Sequence, residues 1–584
     1  MTVLNPIYTE LTQCQDCYKC IRECPIKAIS VEQGHAKVIP DLCVLCGHCV
    51  MVCPSDAKRV RDDLPRARQL VKLKPKAVLS LAPSFASEFA GVSPQKITAA
   101  AKKLGFLHVS ETAVGADFVS AEVASALRTS AEQTAAGDRS AQKLFLSSAC
   151  PVAVEFVKQY LPELAGSVMD CASPLLAHAR FLKQQFGQDC AVIFAGPCIA
   201  KKRESDVWQQ DLDCAISFRD LRKWMEEDGV RLDAFPGEDA ETFAPFRAAK
   251  GALYPMDGGM ISSVKKYPVP EECDMLAVTG LDEIGAALKG IDPEKLTRPL
   301  FVELLACHGG CVNGPLASRQ TPTLARHISL LNYAQDAADV TAEEHFPPMS
   351  GTLPAEAAPG RNHTEAEIAA ALRSVGKFTV HDELNCGSCG YDTCRSFAAA
   401  MLDKRAEKGM CVSYMRKLAQ KKANGLIKTI PAGVVICDSD LVIIECNENF
   451  ARLMGPQIVE LFEAKPGLEG AELSKITSLS KYFAGVVAEN GPDVMEHEIR
   501  DGKKIFHATI FSLEKGQSAC GVIQDITAPQ VQRSRVIKQA QRVIDKNLAV
   551  VQKIAFLLGE NAAETEATLN SIIESFVGSD EDEK

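Results

Sequence analysis

The spacing of eight cysteines near its start constrains this 584-residue chain more than any other feature. Cys14, Cys17, Cys20 and Cys24 run directly into Pro25, and Cys43, Cys46, Cys49 and Cys53 repeat the run ahead of Pro54. A short loop of this kind sets three thiolates on one face of an iron–sulfur cube, while the rigid proline turn carries the fourth to a second cube. Four thiolates also suit zinc, so a pair of zinc knuckles is the competing reading. Two matching halves, each closed by proline, favour iron and sulfide. His48, between two of the cysteines, reads as solvated rather than coordinating.

The doubled run resembles the bacterial two-cluster ferredoxins. It predicts a ferredoxin-like domain over residues 1–66, with one 4Fe-4S cluster on Cys14, Cys17, Cys20 and Cys53. The other falls to Cys43, Cys46, Cys49 and Cys24. Met1–Glu10 has neither the basic nor the apolar part of an export signal, and no stretch nears the roughly 20 apolar residues that span a bilayer. The expected compartment is the cytoplasm, where the 23 cysteines would serve metals rather than disulfides. A net charge of −11, spread along the chain, argues against nucleic acid or an anionic membrane as partner.

The length predicts roughly three to five domains. From residue 67 to 345 short, largely apolar runs such as Ala77–Leu81, Lys143–Leu146 and Ala191–Ala195 alternate with helical patterns, the mark of an α/β domain with buried strands. Residues 346–366 carry linker chemistry, rich in proline and glycine. A small cysteine module follows over 367–422, a strand-rich α+β domain over 423–530, a helix over 531–576 and an acidic tail over 577–584. The fold class is thus multidomain, α+β and α/β.

Three segments of the α/β region stand out: Ser147–Pro151 with Cys150, Gly196–Glu204 with Cys198, and Glu303–Gly314 with Cys307 and Cys311. Each alone reads blandly. In chain order behind a two-cluster ferredoxin, they resemble the signature segments of the iron-iron hydrogenases. The resemblance implies an H-cluster: a 4Fe-4S cube on Cys150, Cys198, Cys307 and Cys311, with Cys311 bridging to a diiron unit that carries CO, cyanide and a dithiolate. Lys201 matches the lysine that hydrogen-bonds a cyanide. Glu204 and Pro197 belong to the same segment, and Ala82-Pro83-Ser84 resembles a further cyanide-facing loop. A buried ammonium needs an anionic partner, and cyanide on iron supplies one.

The departures point to the family's sensory branch. Catalytic members have two adjacent cysteines in the first segment, the first being the proton donor; here Ala149 takes its place and no catalytic residue is assigned. Gly196 and Leu305 replace methionines. The segment Glu111-Thr112-Ala113-Val114-Gly115-Ala116-Asp117 departs from its family pattern. Val123 and Ala126 fall where catalytic members keep proton-carrying glutamates.

Cys386, Cys389, Cys394 and Cys411 resemble the four-cysteine module of some electron-transport iron–sulfur proteins, implying one further 4Fe-4S cluster with zinc as the alternative. The run from Ile430 to Ile526 resembles a PAS domain, with strands expected at Leu441–Cys446, Glu496–Arg500, Lys503–Phe511 and Ala519–Ile526. No histidine is flanked as a haem ligand, and the PAS ligand, if any, is open. Cys437, Cys446 and Cys520 are read as core. Ile537, Ile544, Val551 and Leu558 recur at heptad spacing, with Ala540, Asn547 and Ile554 three residues on, which predicts a coiled-coil homodimer, with a solvent-facing amphipathic helix packed on the PAS sheet as the alternative.

The expected function is slow hydrogen chemistry used to sense hydrogen or redox poise, read out through the PAS domain. Hydrogen and protons would be the small partners, a ferredoxin the electron partner, and a separate kinase or phosphatase the output. Two rivals stay open: a catalytic, ferredoxin-linked hydrogenase, and an electron-transfer scaffold without the diiron unit.

Overall fold

In the computed structural model the described residues are 5–235, 242–335, 346–359, 362–488, 491–501 and 504–527, with 542–543 and 545–546. They fall into two compact units, 1–415 and 416–584. The heptad positions Ile537 to Leu558, and with them the expected dimer contact, lie outside the described residues. No helix among the described residues is long and apolar enough to cross a membrane.

The first unit opens with a small pseudo-symmetric fold. Strand Ile7–Thr9 pairs antiparallel with Lys58–Val60, and Ile29–Glu32 forms a hairpin with His35–Val38. Two short helices, Lys19–Arg22 and His48–Val52, each follow a left-handed residue, Tyr18 (φ 54°) and Gly47 (φ 75°). Gly47 is required twice over. Besides its φ, a Cβ there would lie 2.5 Å from Pro315 Cβ and 2.7 Å from Ile199 Cδ1, so this loop presses against the following domain.

That domain is built on two all-parallel sheets. One has the order His108–Glu111, Ala77–Leu81, Ala191–Gly196, Cys214–Ser217; the other Asp274–Thr279, Leu300–Leu305, Leu144–Leu146. Strands Ala77–Leu81 and Ala191–Gly196 are buried along their whole length. Both faces are covered, which is why their sequences run apolar without alternation. The 24-residue helix Thr112–Ala135 and the helix Pro174–Phe186 pack closely, Gly115 letting the backbone of Pro174 approach.

Residues 346–359, read from their prolines as linker, lie along this domain. Met349 O accepts from Ala172 N–H (2.6 Å), Arg180 donates to the carbonyls of Pro348 and Ser350, and Met349 and Leu353 are buried. The cysteine module follows, with helices Glu365–Ser374, opened by a Thr364/Glu367 capping box, and Cys394–Leu402.

The second unit holds a five-stranded antiparallel sheet in the order Ile443–Cys446, Gly433–Asp438, Ser518–Asp525, Lys504–Glu514, Val494–Asp501. Short helices at Glu448–Met454 and Ser480–Val487 pack Phe450 and Phe483 into its core. Gly521 lies under the Phe483 ring, where a Cβ would come within 2.2 Å. Cys437, Cys446 and Cys520 are buried here, as read. The second strand starts at Ile443 rather than Leu441. Asp438 Oδ1 accepts from the N–H groups of Asp440 and Val442, and this tight turn holds Leu441 at φ 60°.

Asn447 ties this unit together. Its Oδ1 accepts from Val434 N–H (2.8 Å) and Phe450 N–H (2.9 Å), and its Nδ2 donates to Ile427 O (2.9 Å) and Ala432 O (2.8 Å). Asn447→Ala leaves four buried backbone groups with a lost partner, so it should cost about 2–4 kcal/mol. Faster hydrogen exchange of the amides of Gly433–Asp438, with the first unit unaffected, is the expected measurement.

Candidate functional site

The eight N-terminal cysteines sort by proximity into two sets. Burial pushes the Cys20 thiol up to about 11, and its nearest thiol neighbours Cys53, Cys14 and Cys17 act in the same direction. Burial likewise drives Cys49 well up, with Cys46, Cys43 and Cys24 beside it. The structure therefore brings together Cys14, Cys17, Cys20 and Cys53 on one side and Cys24, Cys43, Cys46 and Cys49 on the other. Thiols so buried ionise only if a cation replaces the proton, which is the condition a metal cluster meets.

Lys58 stands between the sets. It is 2 % exposed, yet its Nζ donates only to neutral acceptors, Thr9 Oγ1 (2.6 Å) and Ala36 O (2.8 Å). Its charge lowers both Cys20 and Cys49. A buried ammonium without a carboxylate partner fits two anionic clusters flanking it. The sequence reading passed over it because a lysine in Asp56-Ala57-Lys58-Arg59 looks like an exposed strand position.

In the next domain four segments leave the C-terminal ends of parallel strands and converge, where α/β sheets place their ligands. Ala82-Pro83-Ser84 follows Ala77–Leu81, Ser147–Pro151 follows Leu144–Leu146, Pro197-Cys198 follows Ala191–Gly196, and Ala306–Cys311 follows Leu300–Leu305. Burial pushes Cys307 well up, and the thiols bearing on it are Cys311, Cys198, Cys150 and then Cys46. Cys150, Cys198, Cys307 and Cys311 thus lie together, with Cys46 of the ferredoxin-like domain next in line.

Beside them opens a cavity. Its wall includes Cys198, Cys311, Pro197, Lys201, Ser84 and the three departures' positions: Ala149, Leu305, and Phe194 in place of a side chain at 196. A Cβ on Gly196 would lie 2.4 Å from Phe194 Cζ, so the glycine makes room for that ring. Val123 is core and Ala126 packs against it, both away from the cavity wall. Glu111 and Asp117 do not face it either. Glu111 Oε2 accepts from Ala248 N–H, and Asp117 accepts from Ala249 and Gly251 N–H, each at 2.7 Å. Burial pushes Asp117 up to about 6 against those donors. Both acids fix the loop that leads to Tyr254 and Pro255 on the cavity wall.

Lys201 reaches the cavity but already has an anion. Its Nζ lies 2.6 Å from Glu204 Oε2 and 3.1 Å from Ser173 Oγ, and Ser173 also bonds Glu204 Oε1. The burial of Lys201 therefore does not demand an anionic ligand: Glu204 meets the charge one helical turn away. Ser84 is different. Its Oγ is buried on the cavity wall and has no hydrogen-bond partner. Four gathered thiols, an unpartnered hydroxyl and an ammonium around an otherwise apolar space fit an iron–sulfur cube joined to a compact unit with acceptor atoms.

In the small module, burial raises Cys389, with Cys411 and Cys386 close by. Cys394 begins its helix, its N–H donating to Asn385 Oδ1 (2.7 Å).

Comparison with known proteins agrees with this geometry. Residues 75–315 match the model of the iron only hydrogenase large subunit, C-terminal domain. Over these residues the chain is similar to the iron-only hydrogenase large subunit. Around it, residues 6–66 match a 4Fe-4S dicluster domain and residues 382–413 a putative Fe-S cluster domain. The NADP-reducing hydrogenase subunit HndD of Solidesulfovibrio fructosivorans is 24 % identical over 412 residues, 59 % of this chain and 70 % of the relative. The periplasmic iron hydrogenase large subunit of Nitratidesulfovibrio vulgaris is 24 % identical over 367 residues, 53 % of this chain and 86 % of that one. The solved HydA1 hydrogenase of Chlamydomonas reinhardtii superimposes with a TM-score of 0.39 at 17 % identity, covering 49 % of this chain and 92 % of that one. With this family go 4Fe-4S clusters, an H-cluster and redox chemistry of the hydrogenase type.

Lys58→Met keeps the apolar stem and removes the charge. Both ferredoxin-like clusters should become harder to reduce, roughly tenfold or more in equilibrium constant. A potentiometric titration followed by electron paramagnetic resonance measures it. A shift in neither would mean that Lys58 serves packing alone.

Proposed function

We propose that this chain is a hydrogen- or redox-sensing relative of the iron-only hydrogenases, slow in turnover, whose clusters report to a PAS domain. The observation that carries the reading is the cavity wall. Ala149, Leu305 and Phe194 all face it, so every departure of the signature segments removes a polar or polarisable group there. Cys150, Cys198, Cys307 and Cys311 are the proposed ligands of the cube, with Cys311 also lining the cavity. Ser84 and Lys201 are the proposed donors to a diiron unit, and Pro197 shapes the wall beside them. When bound, that unit supplies the metal chemistry of hydrogen splitting or formation.

What the protein's own residues contribute is mostly exclusion. Apolar walls keep water out, and Ala149 offers no group that takes or gives a proton. A positioned acid–base group is worth about 10²- to 10⁴-fold in rate. Val123, buried in the core, offers no proton-carrying group either.

The sheet order 2-1-5-4-3 with helices packed by Phe450 and Phe483 supports the PAS reading of the second unit. The helix Val412–Thr429 follows directly on Cys411, a proposed ligand of the third cluster, and its last turn is held through Ile427 by Asn447. A full switch from 1:99 to 99:1 requires the two redox states to differ by about 5.5 kcal/mol in their interaction with the output. That output is proposed to be a separate kinase or phosphatase met by a homodimer.

One observation favours a second reading. The Lys201–Glu204 pair satisfies the lysine without any cyanide, as an electron-transfer scaffold lacking the diiron unit would require. Infrared spectra decide between them. CO and cyanide bands with about 18 irons per chain support the sensor, and about 16 irons without bands support the scaffold.

Two outcomes are expected of the sensor. Hydrogen turnover should lie orders of magnitude below that of relatives with cysteine at position 149, and Ala149→Cys should raise it only modestly. Turnover equal to a dedicated hydrogenase in the unmodified protein rejects the sensory reading. Lys201→Met alone would strand Glu204, a buried acid, at about 3–5 kcal/mol. The informative variant is therefore Lys201→Met with Glu204→Gln, which should keep the 4Fe-4S signals and lose the CO and cyanide bands.

A further inference from the structure

We propose that Tyr391 donates a hydrogen bond to a cluster sulfur where the third cluster meets the ferredoxin-like cluster of Cys24, Cys43, Cys46 and Cys49, and that this ferredoxin-like cluster is the branch point joining the third cluster to the hydrogenase-like domain. The proposal rests on the ligand reading above, in which all three cysteine sets hold 4Fe-4S clusters.

The small module is packed on one side of the ferredoxin-like domain. Gly390, at φ +92°, sits so close that a Cβ would lie 3.1 Å from Arg22 N and from Ile21 Cγ2. The Val31 N–H of the hairpin donates to Arg405 O (3.1 Å), so the module's backbone continues the contact. Ile21, Cys24, Tyr391 and Cys411 share one buried core. Tyr391 is next to Gly390 and two residues from Cys389. It is 3 % exposed, its ring stands on Phe397 at 5.9 Å, and its hydroxyl has no hydrogen-bond partner.

A buried phenol with an idle hydroxyl is costly unless something accepts its proton. The charged groups that bear on it most are Arg405 and the thiols of Cys389 and Cys24, then Asp403. Arg405 is a donor already committed to Asp403. Asp403 is itself held by Arg405 and His363, so the sulfurs near Cys389 and Cys24, which in the loaded protein would be cluster thiolates or sulfides, are the acceptors assigned to the hydroxyl. None of Cys14, Cys17, Cys20 or Cys53 is among the groups bearing most on Tyr391 or on Cys307. Tyr391 instead shares a buried core with Cys24, and Cys24 and Cys46 line one cavity together with Cys307. That set therefore has the third cluster on one flank and the hydrogenase-like cysteines on the other. Clusters held by these cysteines would pass one electron from a reduced cluster to its oxidised neighbour along this line, with Tyr391 keeping its proton.

A hydrogen bond to sulfur favours the more negative, reduced cluster, so removing it lowers the potential. The test is Tyr391→Phe in the full chain, anaerobically loaded with iron and sulfide. Redox titration followed by electron paramagnetic resonance reads each cluster. The expected result is an about tenfold fall in the reduction equilibrium constant of the third cluster or its Cys24 neighbour, equal to about 59 mV for one electron. Iron content and the Cys14 cluster should be unchanged, and spin coupling between the third and Cys24 clusters should persist in both proteins. Unshifted potentials, or a shift confined to the Cys14 cluster, would overturn the role of Tyr391. Absence of that spin coupling in the unmodified protein would overturn the branch point while leaving the ligand reading intact. Zinc in the third site would overturn both.

Discussion

The first unit depends on thiols buried where they have no means of ionising alone. Cys20, Cys43, Cys49, Cys198, Cys307 and Cys311 are all driven up by burial, and each is raised further by at least one neighbouring thiol. Thiols gathered this way repel one another once deprotonated. Iron and sulfide would relieve that repulsion by taking the protons' place, which would couple cluster insertion to the folding of these loops. The local backbone is arranged for it: left-handed residues at Tyr18 and Gly47 turn the chain so that short helices carry cysteines inward.

Close packing of the loops then decides how the clusters communicate. Gly47 lets the second ferredoxin-like loop lie against Ile199 and Pro315, beside the second and third signature segments. Cys46 and Cys307 line the same cavity there. Arg61 strengthens the same junction: it pairs with Asp63 and with Asp206 of the hydrogenase-like domain, while Lys202 pairs with Asp63. These largely buried ion pairs are weak evidence for stability, because desolvation offsets their attraction. Their effect is to fix one docking geometry, which electron transfer over short distances requires.

Much of this was legible in the sequence because the constraints were local. Cysteine spacing fixes which thiols share a loop, and unbroken apolar runs such as Ala191–Ala195 announce strands buried on both faces. What was not legible depends on three-dimensional neighbours. Lys201 and Glu204 are three residues apart on a helix, so their pairing was within reach of pattern reading. The signature match drew attention to the lysine's expected ligand instead. Phe194 filling the space above Gly196, and Lys58 between two cysteine sets, come from chain segments far apart or from a strand face that spacing alone does not orient. The prolines of residues 346–359 predicted irregular backbone. They carried no sign that Met349 and Leu353 would be buried against the domain.

Lys201 and Ser84 show how the same cavity constrains its contents differently. The ammonium is balanced by Glu204 and held by Ser173, so it is placed at low cost whether or not a ligand is bound. The Ser84 hydroxyl has no such partner, so an acceptor in the cavity would relieve a buried, unsatisfied group. A ligand that draws a bond from Lys201 must compete with Glu204, whereas one that draws a bond from Ser84 competes with nothing. Affinity for a compact anionic unit would thus draw on the serine and the Cys311 thiolate as well as on the lysine. With Glu204 and Ser173 holding it, the ammonium is aimed at the cavity before any ligand arrives.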